Sequence, residues 1–494
     1  MRRDHPDMHQ TRLDGPRILE LDLDLSCRHE MVPVLRGLQA IYADDAARTA
    51  ILDLVRKDVL GTSSSRRGRR GLDLWQILVL AAVRLGLNLD YDALHDLTKN
   101  HHNLRTMMGL GPWDRDLRLN WRRIRDAVCS LTPETLIRIS DQVVRIGHRL
   151  LGTRPTMVRL DSFVMQTNIH FPSDIRQTGD ALRCLVRHGA RLAEVVGSSR
   201  LRQHRHLQRR IRALVLTASR ALGCKGKNRE QRRTSAVREL VVFAKERCDQ
   251  MLGLLDEAHE VMASLDAKTR AQAQAERSRI LYFLSALDMV AEVARRHHVE
   301  GETVPLVDKL FSVFEAHTEM IVRGKTPIPY EFGHRCLVAE DEQGFILHAH
   351  VMANGRQDRD VVPTIARLLR RRHPSIDTLS FDRGFHSPEN QQRLAELVPH
   401  PCLPTTGVQA AAQQTAQADA VWKQARQRHS GIESAIGALQ AGNGCVRCRD
   451  RTRIGYHRYL ALAVLGRNLH TLGRLLIAQE SPDALAGRSR RTAA

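Results

Sequence analysis

The chain has 494 residues, of which 42% are hydrophobic, so it is long enough for several domains with cores of their own. Its 76 Lys and Arg residues against 55 Asp and Glu residues give a formal net charge of +21, which predicts a polyanionic partner. Nucleic acid is the commonest such partner, and a membrane surface or a ribosome also fits the charge alone. Nine cysteines in a chain of this length exclude a disulfide-rich scaffold, and the first residues are not expected to form a secretory signal.

The first part of the chain is predicted to be mainly helical. Residues 1–60 predict a helical region, and residues 61–71, GTSSSRRGRRG, predict a flexible basic linker. Residues 72–152 predict a helical domain of the kind that binds DNA, and a helical bundle without DNA contacts fits the same pattern. Within this region, Thr132 and Pro133 predict the cap and first turn of a new helix.

Residues 156–170, TMVRLDSFVMQTNIH, change the pattern from helix to strand. They are too evenly apolar for a strand with one face in solvent, so they predict a central strand that is covered on both faces. Asp161 stands in the middle of this strand. An acid at such a position is costly unless it is paired or bound to a metal.

A long helical insertion is predicted from about residue 180 to about residue 325. Between residues 200 and 233, ten Arg and two Lys stand against a single acid. Because unpaired like charges repel one another, this run predicts contacts with phosphates, for which we select Arg205, Arg209 and Arg212. A solvated helix face is the alternative interpretation.

The second half of the chain alternates strands and helices. Residues 330–355 predict a hairpin that turns at EDEQG, and residues 376–382 and the stretch PCLPTT predict two further strands with helices around them. Together with the strand around Asp161 they predict a mixed α/β sheet of five strands with helices on both sides. The last helical region, up to about residue 478, has an apolar stretch that polar and charged residues interrupt, which argues against a membrane span.

Two further acids have positions that suggest chemistry. Asp382 ends the strand TLSFD, and the ligand sites of open α/β sheets lie at the carboxyl ends of strands. Gly384 is expected to let the chain turn tightly after it; taken alone, Asp382 is more typical of a turn or cap. Glu433 lies at the border of the apolar face of the helix RHSGIESAIGALQ, with His429 one turn and Arg426 two turns before it.

The three acids, on two strands and a helix, form one constellation: Asp161, Asp382 and Glu433. Oxygen ligands of this kind suit Mg²⁺ or Mn²⁺. Two such ions can activate a water or a 3′-hydroxyl and stabilise the leaving oxygen during displacement at a phosphate. These acids are therefore the candidate catalytic and metal-binding residues.

Four blocks of the sequence resemble bacterial insertion-sequence transposases of the DDE class, and most of all the group catalogued as ISNCY. The blocks are VRLDSFVMQTNIHFPSD, YEFGHRCLVAEDEQGFIL, SFDRGFHSPEN and the stretch that begins RQRHSGIESAIGALQ. The stretch LDLWQILVLAAVRLGLNLDYDALHDL also resembles the domain that precedes the catalytic core in that superfamily. The resemblance extends from about residue 71 to about residue 476.

The resemblance implies an RNase H-like catalytic core at residues 153–478, with the basic helical insertion after its first strand, and a tail at residues 479–494. It implies a catalytic triad of the three acids, two bound Mg²⁺ (or Mn²⁺) ions, cleavage at the ends of the element and transfer of its 3′-hydroxyl ends into target DNA. The implied partners are the terminal inverted repeats of the element and target DNA, bound by a homodimer. The implied location is the bacterial cytoplasm, at the nucleoid and without a membrane partner.

The sequence departs from the wider superfamily around the glutamate. Many relatives carry the pattern Y-x2-R-x3-E-x6-K, whereas this chain has Arg426, His429 and Gln440 in place of the Tyr, Arg and Lys. The phosphate contacts near the triad are therefore expected from other cations. The residues expected to contact DNA there are Arg383, His386, Arg426, Arg428 and His429.

Two other classes of protein remain open at this point. Tyr456 and Tyr459, in GYHRY, would suit a tyrosine recombinase that forms a covalent bond to DNA. A basic DNA-binding protein without activity, such as an inactive transposase relic, is the non-enzymatic alternative. Cys445 and Cys448 form a single C-x2-C pair without a second pair at zinc-finger spacing, so a zinc site is not expected.

Overall fold

The structure is a computed structural model that describes residues 2–3, 17–61, 69–111, 114, 119–322, 329–405 and 419–481. Most of the predicted basic linker and of the predicted carboxyl-terminal tail lies outside the described residues. The chain divides into two compact units. The first unit comprises residues 1–168 and 333–494, and the second comprises residues 169–332.

The helices and strands follow one another along both units. The helices are α1 (Met31–Ala43), α2 (Asp45–Leu60), α3 (Leu74–Gly86), α4 (Tyr91–Asn100), α5 (His102–Met107), α6 (Trp121–Cys129), α7 (Pro133–Leu151), α8 (Asp174–Val196), α9 (His204–Leu222), α10 (Arg229–Met262), α11 (Ala267–His298), α12 (Val362–Arg372), α13 (Pro388–Leu397), α14 (Ala420–His429), α15 (Gly431–Gly437) and α16 (Arg453–Glu480). The strands are β1 (Arg2–Arg3), β2 (Arg69–Arg70), β3 (Met157–Thr167), β4 (Glu319–Val322), β5 (Tyr330–Asp341), β6 (Ile346–Val351), β7 (Thr378–Phe381), β8 (His400–Cys402) and β9 (Arg447–Cys448).

The main sheet has seven strands of mixed direction, in the order β4-β5-β3-β7-β8, with β6 also paired to β5 and β9 to β3. Strand β5 is antiparallel to β3 and β6, whereas β7 is parallel to β3 and β8 is parallel to β7. The predicted mixed α/β class is thus confirmed, and the five predicted strands are β3, β5, β6, β7 and β8. The structure adds β4 and β9, which at four and two residues are too short for an alternating pattern to reveal.

The longest helix of the first unit, α16, lies in its core, and α1, α3 and α7 pack against it. Glycines let the backbones approach closely. A Cβ on Gly473 would lie 1.8 Å from the carbonyl oxygen of Pro33 in α1, and a Cβ on Gly466 would lie 2.5 Å from the backbone nitrogen of Gly86 in α3. The amino-terminal helices therefore share one core with the sheet, and their predicted division into separate domains stays a prediction.

Helix α16 is also the one helix, among the described residues, that is long and apolar enough to cross a membrane by length and composition. Within the protein, 78% of its apolar window is buried. Its Asn468 is fully buried and donates hydrogen bonds to Ser140 Oγ and to the carbonyl oxygen of Ile346, both at 2.9 Å. These contacts are those of a core helix that fastens the sheet to α7.

The second unit contains the four helices α8 to α11, and α8 packs against the other three. Its core consists mainly of aliphatic side chains, with few aromatic ones. Its buried residues include Leu182, Leu185, Phe243, Ile280 and Leu287. Buried within it, Nδ1 of His188 lies 2.7 Å from Oε2 of Glu276. The helices expected from about residue 180 to about residue 325 lie in this unit, and their role as an insertion in a catalytic core stays a prediction.

A cluster of three polar side chains joins the beginning of α8 to the end of α11. Oδ2 of Asp174 lies 2.8 Å from Nδ1 of His297 and 3.0 Å from Nε2 of His298. Burial alone would raise the pKa of Asp174, but the hydrogen bonds from His298 and His297 outweigh it and lower this pKa to about 2. The negative carboxylate stands at the amino terminus of α8, where the helix dipole stabilises it.

We expect this cluster to make the helical unit more stable at neutral pH than at acidic pH. Because the pKa of Asp174 is about 2 in the folded protein and 3.8 in the reference state, its stabilisation is present above pH 4 and is lost as the pH falls to 2. Allowing for solvent screening, Asp174→Asn should lower the free energy of unfolding by about 1 kcal/mol at neutral pH. Urea unfolding followed by far-UV circular dichroism would measure this difference, and an equal loss for the variant at pH 2 and pH 7 would contradict it.

Candidate active site

The register of two parallel strands places the two predicted aspartates side by side. Strands β3 and β7 pair in parallel up to Leu160 opposite Phe381. Asp382 follows in extended backbone, with φ −77° and ψ 164°, so the next step along the register sets Asp161 beside Asp382. Adjacent residues in paired parallel strands point to the same face of the sheet, so both carboxylates leave the sheet on one side.

That same face is covered by α14. Two residues before each aspartate, Arg159 and Ser380 point to it: Nη1 of Arg159 donates to the carbonyl oxygen of Arg428 at 3.0 Å, and Oγ of Ser380 lies 3.0 Å from Nδ1 of His429. Helix α15 follows α14 after one residue and packs against β3. Glu433, in the first turn of α15, is thereby brought to the layer that covers the two aspartates.

The three acids differ in their exposure. Asp161 and Asp382 are half-buried, and Glu433 is exposed. They do not form a compact ligand cluster of the kind seen at Asp174, His297 and His298, whose ligand atoms all lie within 4.8 Å of one another and which is the one such group in the part of the chain that the structure describes. The donor set of the three acids is nevertheless all oxygen, which suits Mg²⁺ or Mn²⁺ better than softer metals.

Arg426 is a cation beside Asp382. Its Nη2 lies 3.5 Å from Oδ1 of Asp382, and its Nη1 donates to the carbonyl oxygen of Phe381 at 3.3 Å. Arg383 and Arg428 are exposed at the same end of the strand and helix, and His386 is half-buried. The carboxyl end of β7 thus carries an acid among cations, a combination that could hold a divalent ion and a phosphate together.

His429 has a different environment from the other predicted DNA contacts. Its side chain is only 5% exposed, and burial together with the charge of Arg426 lowers its pKa to about 4. The imidazole is therefore neutral at neutral pH and is hydrogen-bonded to Ser380. A direct contact with phosphate, which stays a prediction, would require His429 to leave this hydrogen bond and would add no positive charge.

The turn after Asp382 is held in place by contacts of Phe385 and Asn390. Phe385 is buried, and its ring centroid lies 5.5 Å from that of Phe381. Nδ2 of Asn390 donates to the carbonyl oxygen of Phe385 at 2.9 Å, while Ser387 caps α13. The chain turns at Gly384 as expected, but a Cβ there would meet only Oδ2 of Asp358, at 3.8 Å, so no close contact requires glycine at this position.

The sequence analysis missed one part of the site, the pair Arg159 and Glu340. Nε of Arg159 donates to Oε2 of Glu340 at 2.7 Å, and Glu340 is buried. The guanidinium also lies against Gly431, where a Cβ would be 2.1 Å from Nη1. The sequence spacing indicates only that Arg159, two residues before Asp161, shares its face; it does not indicate the contact with Glu340.

Gly431→Ala should therefore displace α15 and Glu433 from their positions. Arg159 cannot easily yield, since Glu340 and the carbonyl oxygen of Arg428 hold its guanidinium. We expect metal-dependent DNA cleavage to fall about tenfold or more while DNA binding is kept, because small misplacements of a catalytic group cost large factors in rate. Gly437→Ala is the matched control, since a Cβ there meets nothing within 4 Å. Equal cleavage by the two variants would show that Gly431 does not position the site.

The two tyrosines of the recombinase alternative are buried. The hydroxyl of Tyr456 donates to the carbonyl oxygen of Met165 and accepts from the backbone nitrogen of His334 at 3.2 Å. Tyr459 is fully buried, and burial raises its pKa to about 12. Phenols in this environment are poor nucleophiles and are not accessible to DNA. Cys445 and Cys448 are buried as well, and burial raises the pKa of Cys445.

The chain was compared with known protein families, with curated proteins and with solved structures. Residues 324–469 match the family model described as the transposase DDE domain. The match contains Asp382 and Glu433 and ends within α16, and Asp161 precedes it. Neither the curated proteins nor the solved structures yield a match to this chain. The family match supports a DDE transposase, an enzyme class whose partner is DNA, and nothing favours the other two classes.

Proposed function

We propose that this protein is an insertion-sequence transposase that hydrolyses phosphodiester bonds at the ends of its element and joins the 3′-hydroxyl ends to target DNA. The observation that carries the proposal is the register of β3 and β7, which sets Asp161 beside Asp382 under the layer that carries Glu433. The mixed sheet is consistent with an RNase H-like DDE domain. We propose that the protein is related to the bacterial transposases of the ISNCY group.

The three acids would hold two Mg²⁺ (or Mn²⁺) ions, for which their oxygen ligands are suitable. When bound, such ions activate a water or a 3′-hydroxyl and stabilise the leaving oxygen in an in-line displacement. In the protein itself, Arg426 binds the phosphate next to Asp382, and the turn anchored by Phe385 and Asn390 keeps Asp382 in place. The neutral His429 fastens α14 to β7 through Ser380 and so orients the helix that leads to Glu433.

The DNA partners are the terminal inverted repeats of the element and the target. Exposed arginines at two places serve as contacts: Arg383 and Arg428 near the triad, and Arg205, Arg209 and Arg212 on α9 of the second unit. Because two ends must be cut and joined in one reaction, the active form is a homodimer on DNA. The protein acts on DNA at the bacterial nucleoid.

The proposal is tested by cleavage of labelled DNA that flanks the coding sequence of the protein. The wild type should cut this DNA with Mg²⁺ and not with EDTA, whereas Asp161→Asn, Asp382→Asn and Glu433→Gln should bind it without cutting. Cutting by all three variants would show that the acids are not the site. A covalent protein–DNA adduct that forms without metal and is lost in Tyr456→Phe would support the recombinase instead.

A further inference from the structure

A second basic surface lies on α8, on residues that the sequence analysis did not select. Arg183, Arg187 and Arg191 recur at intervals of four residues, so they lie along one face of the helix, and all three are exposed. The facing side of α9 presents His204, Gln208 and Arg212 at the same interval. These two rows line an open groove of about 560 Å³ between the helices.

The charge of this groove is poorly compensated within the protein. Arg183 pairs with Asp180, and Glu194 is the one acid among the residues that line the groove, whereas Arg187, Arg191 and Arg212 form no salt bridge within 4 Å among the described residues. Arg187 instead donates to Sγ of Cys184 at 3.0 Å. Three unpaired guanidinium groups along one groove repel one another, and anionic ligands relieve that repulsion.

An exposed aromatic ring lies in the same groove. Phe314 lines it and is 53% exposed. Its exposure is imposed by its neighbours, because Val313 is fully buried and its backbone nitrogen donates to Oε1 of the buried Gln177 in α8 at 3.0 Å. The hydroxyl of Ser312 accepts from the backbone nitrogen of Phe314 at 3.2 Å and fixes the turn further. The ring is thus held out into a groove of arginines, where a flat aromatic ligand would cover it.

We propose that the groove between α8 and α9 binds single-stranded DNA, with phosphates on Arg187, Arg191 and Arg212 and a base stacked on Phe314. Arginines beside an exposed aromatic ring are the two elements with which proteins bind single strands without regard to sequence. Packed helices lie about 8–10 Å apart, so a groove between them admits one strand but not the width of a duplex. The proposal rests on the proposed function only for the source of the single strand, because cutting and joining DNA expose unpaired ends. Binding of a single strand to the groove does not itself require cleavage.

The test measures binding of a fluorescent oligothymidine of about ten nucleotides and of a duplex of equal length, by anisotropy, with the full-length protein in EDTA. Phe314→Ala should weaken binding of the single strand about tenfold and leave binding of the duplex unchanged. Phe314→Leu, which keeps an apolar side chain without an aromatic face, should be weakened to a similar degree. Circular dichroism confirms that the variants fold, and the exposed position of Phe314 makes this the expected result.

The triple variant Arg187→Ala, Arg191→Ala and Arg212→Ala should lower the slope of log affinity against log salt by about 2 for the single strand. The matched control replaces three exposed cations of the same unit outside the groove, Arg238, Lys245 and Lys268, and should change that slope by less than half as much. Unchanged single-strand binding in the Phe314 and triple variants, or an equal loss of single-strand and duplex binding in the Phe314 variants, would overturn the proposal. Because no step requires metal, loss of the cleavage activity in the wild type would refute the proposed function and leave this result standing.

Discussion

Asp382→Asn should reduce Mg²⁺-dependent DNA cleavage at least about a thousandfold, which corresponds to about 4 kcal/mol of transition-state stabilisation. The aspartate stands at the carboxyl end of β7 beside Asp161. The neutral amide of asparagine cannot supply the negative charge with which a carboxylate binds a divalent ion. DNA binding should be kept or slightly strengthened, because the substitution frees Arg426, 3.5 Å away, for phosphate. Single-turnover cleavage and anisotropy with the same labelled DNA measure the two effects separately.

Asp377→Asn is the matched control for this substitution. Asp377 is an exposed acid directly before the same strand, at its amino end, and its Oδ1 accepts a hydrogen bond from Oγ1 of Thr378 at 2.8 Å. The two variants remove the same charge from opposite ends of β7. If Asp377→Asn loses as much cleavage as Asp382→Asn, the effect is one of folding or charge and not of a metal ligand.

Arg84→Met should lower the free energy of unfolding of the first unit by about 3 kcal/mol. Arg84 in α3 and Asp450 form a bidentate pair, with Nη1 to Oδ2 at 3.2 Å and Nη2 to Oδ1 at 2.5 Å, and their side chains are only 2% and 6% exposed. The guanidinium also lies over the ring of Tyr91, 4.0 Å from its centroid. Removing the arginine leaves a buried carboxylate with Arg458, at 3.8 Å, as its remaining cation.

Urea unfolding followed by tryptophan fluorescence measures this loss in the first unit alone, because all four tryptophans belong to it. Arg84→Met with Asp450→Asn should recover part of the stability, since the double variant no longer buries an acid without its arginine, although Arg458 then loses its ion-pair partner. Arg393→Met, which breaks an exposed pair with Glu389 in α13, should change stability by less than about 1 kcal/mol. If the Arg84→Met variant is as stable as the wild type, the buried pair of Arg84 and Asp450 does not hold α3 to the core.

The strands that position the site were predictable because each is long or ends at a polar residue. The apolar run around Asp161 and the break after Asp382 are visible in the sequence, and strands and helices alternate along the second half of the chain as predicted. The caps at Thr132 and Ser387 also follow from local chemistry, which needs no tertiary information.

The parts that escaped prediction depend on contacts between distant residues. Nothing local to Arg159 indicates that Glu340 will hold it or that Gly431 must lack a side chain, because 181 positions separate the first two. Likewise, the groove between α8 and α9 exists only after α9 and Phe314 have packed beside α8, so the sequence of α8 alone does not indicate a binding site. The neutral state of His429 results from its burial beside Ser380. The basic residues around it in the sequence suggest a phosphate contact and give no indication of this burial.

The central claim is that Asp161, Asp382 and Glu433 together bind the catalytic ions, and Mn²⁺ binding counted by electron paramagnetic resonance tests it most directly. The measurement is made in the Asp174→Asn background, so that the cluster with His297 and His298 does not contribute. We predict about two Mn²⁺ ions per chain, and a marked loss of binding when Asp161→Asn, Asp382→Asn or Glu433→Gln is added. Unchanged Mn²⁺ binding in these three variants would contradict the claim.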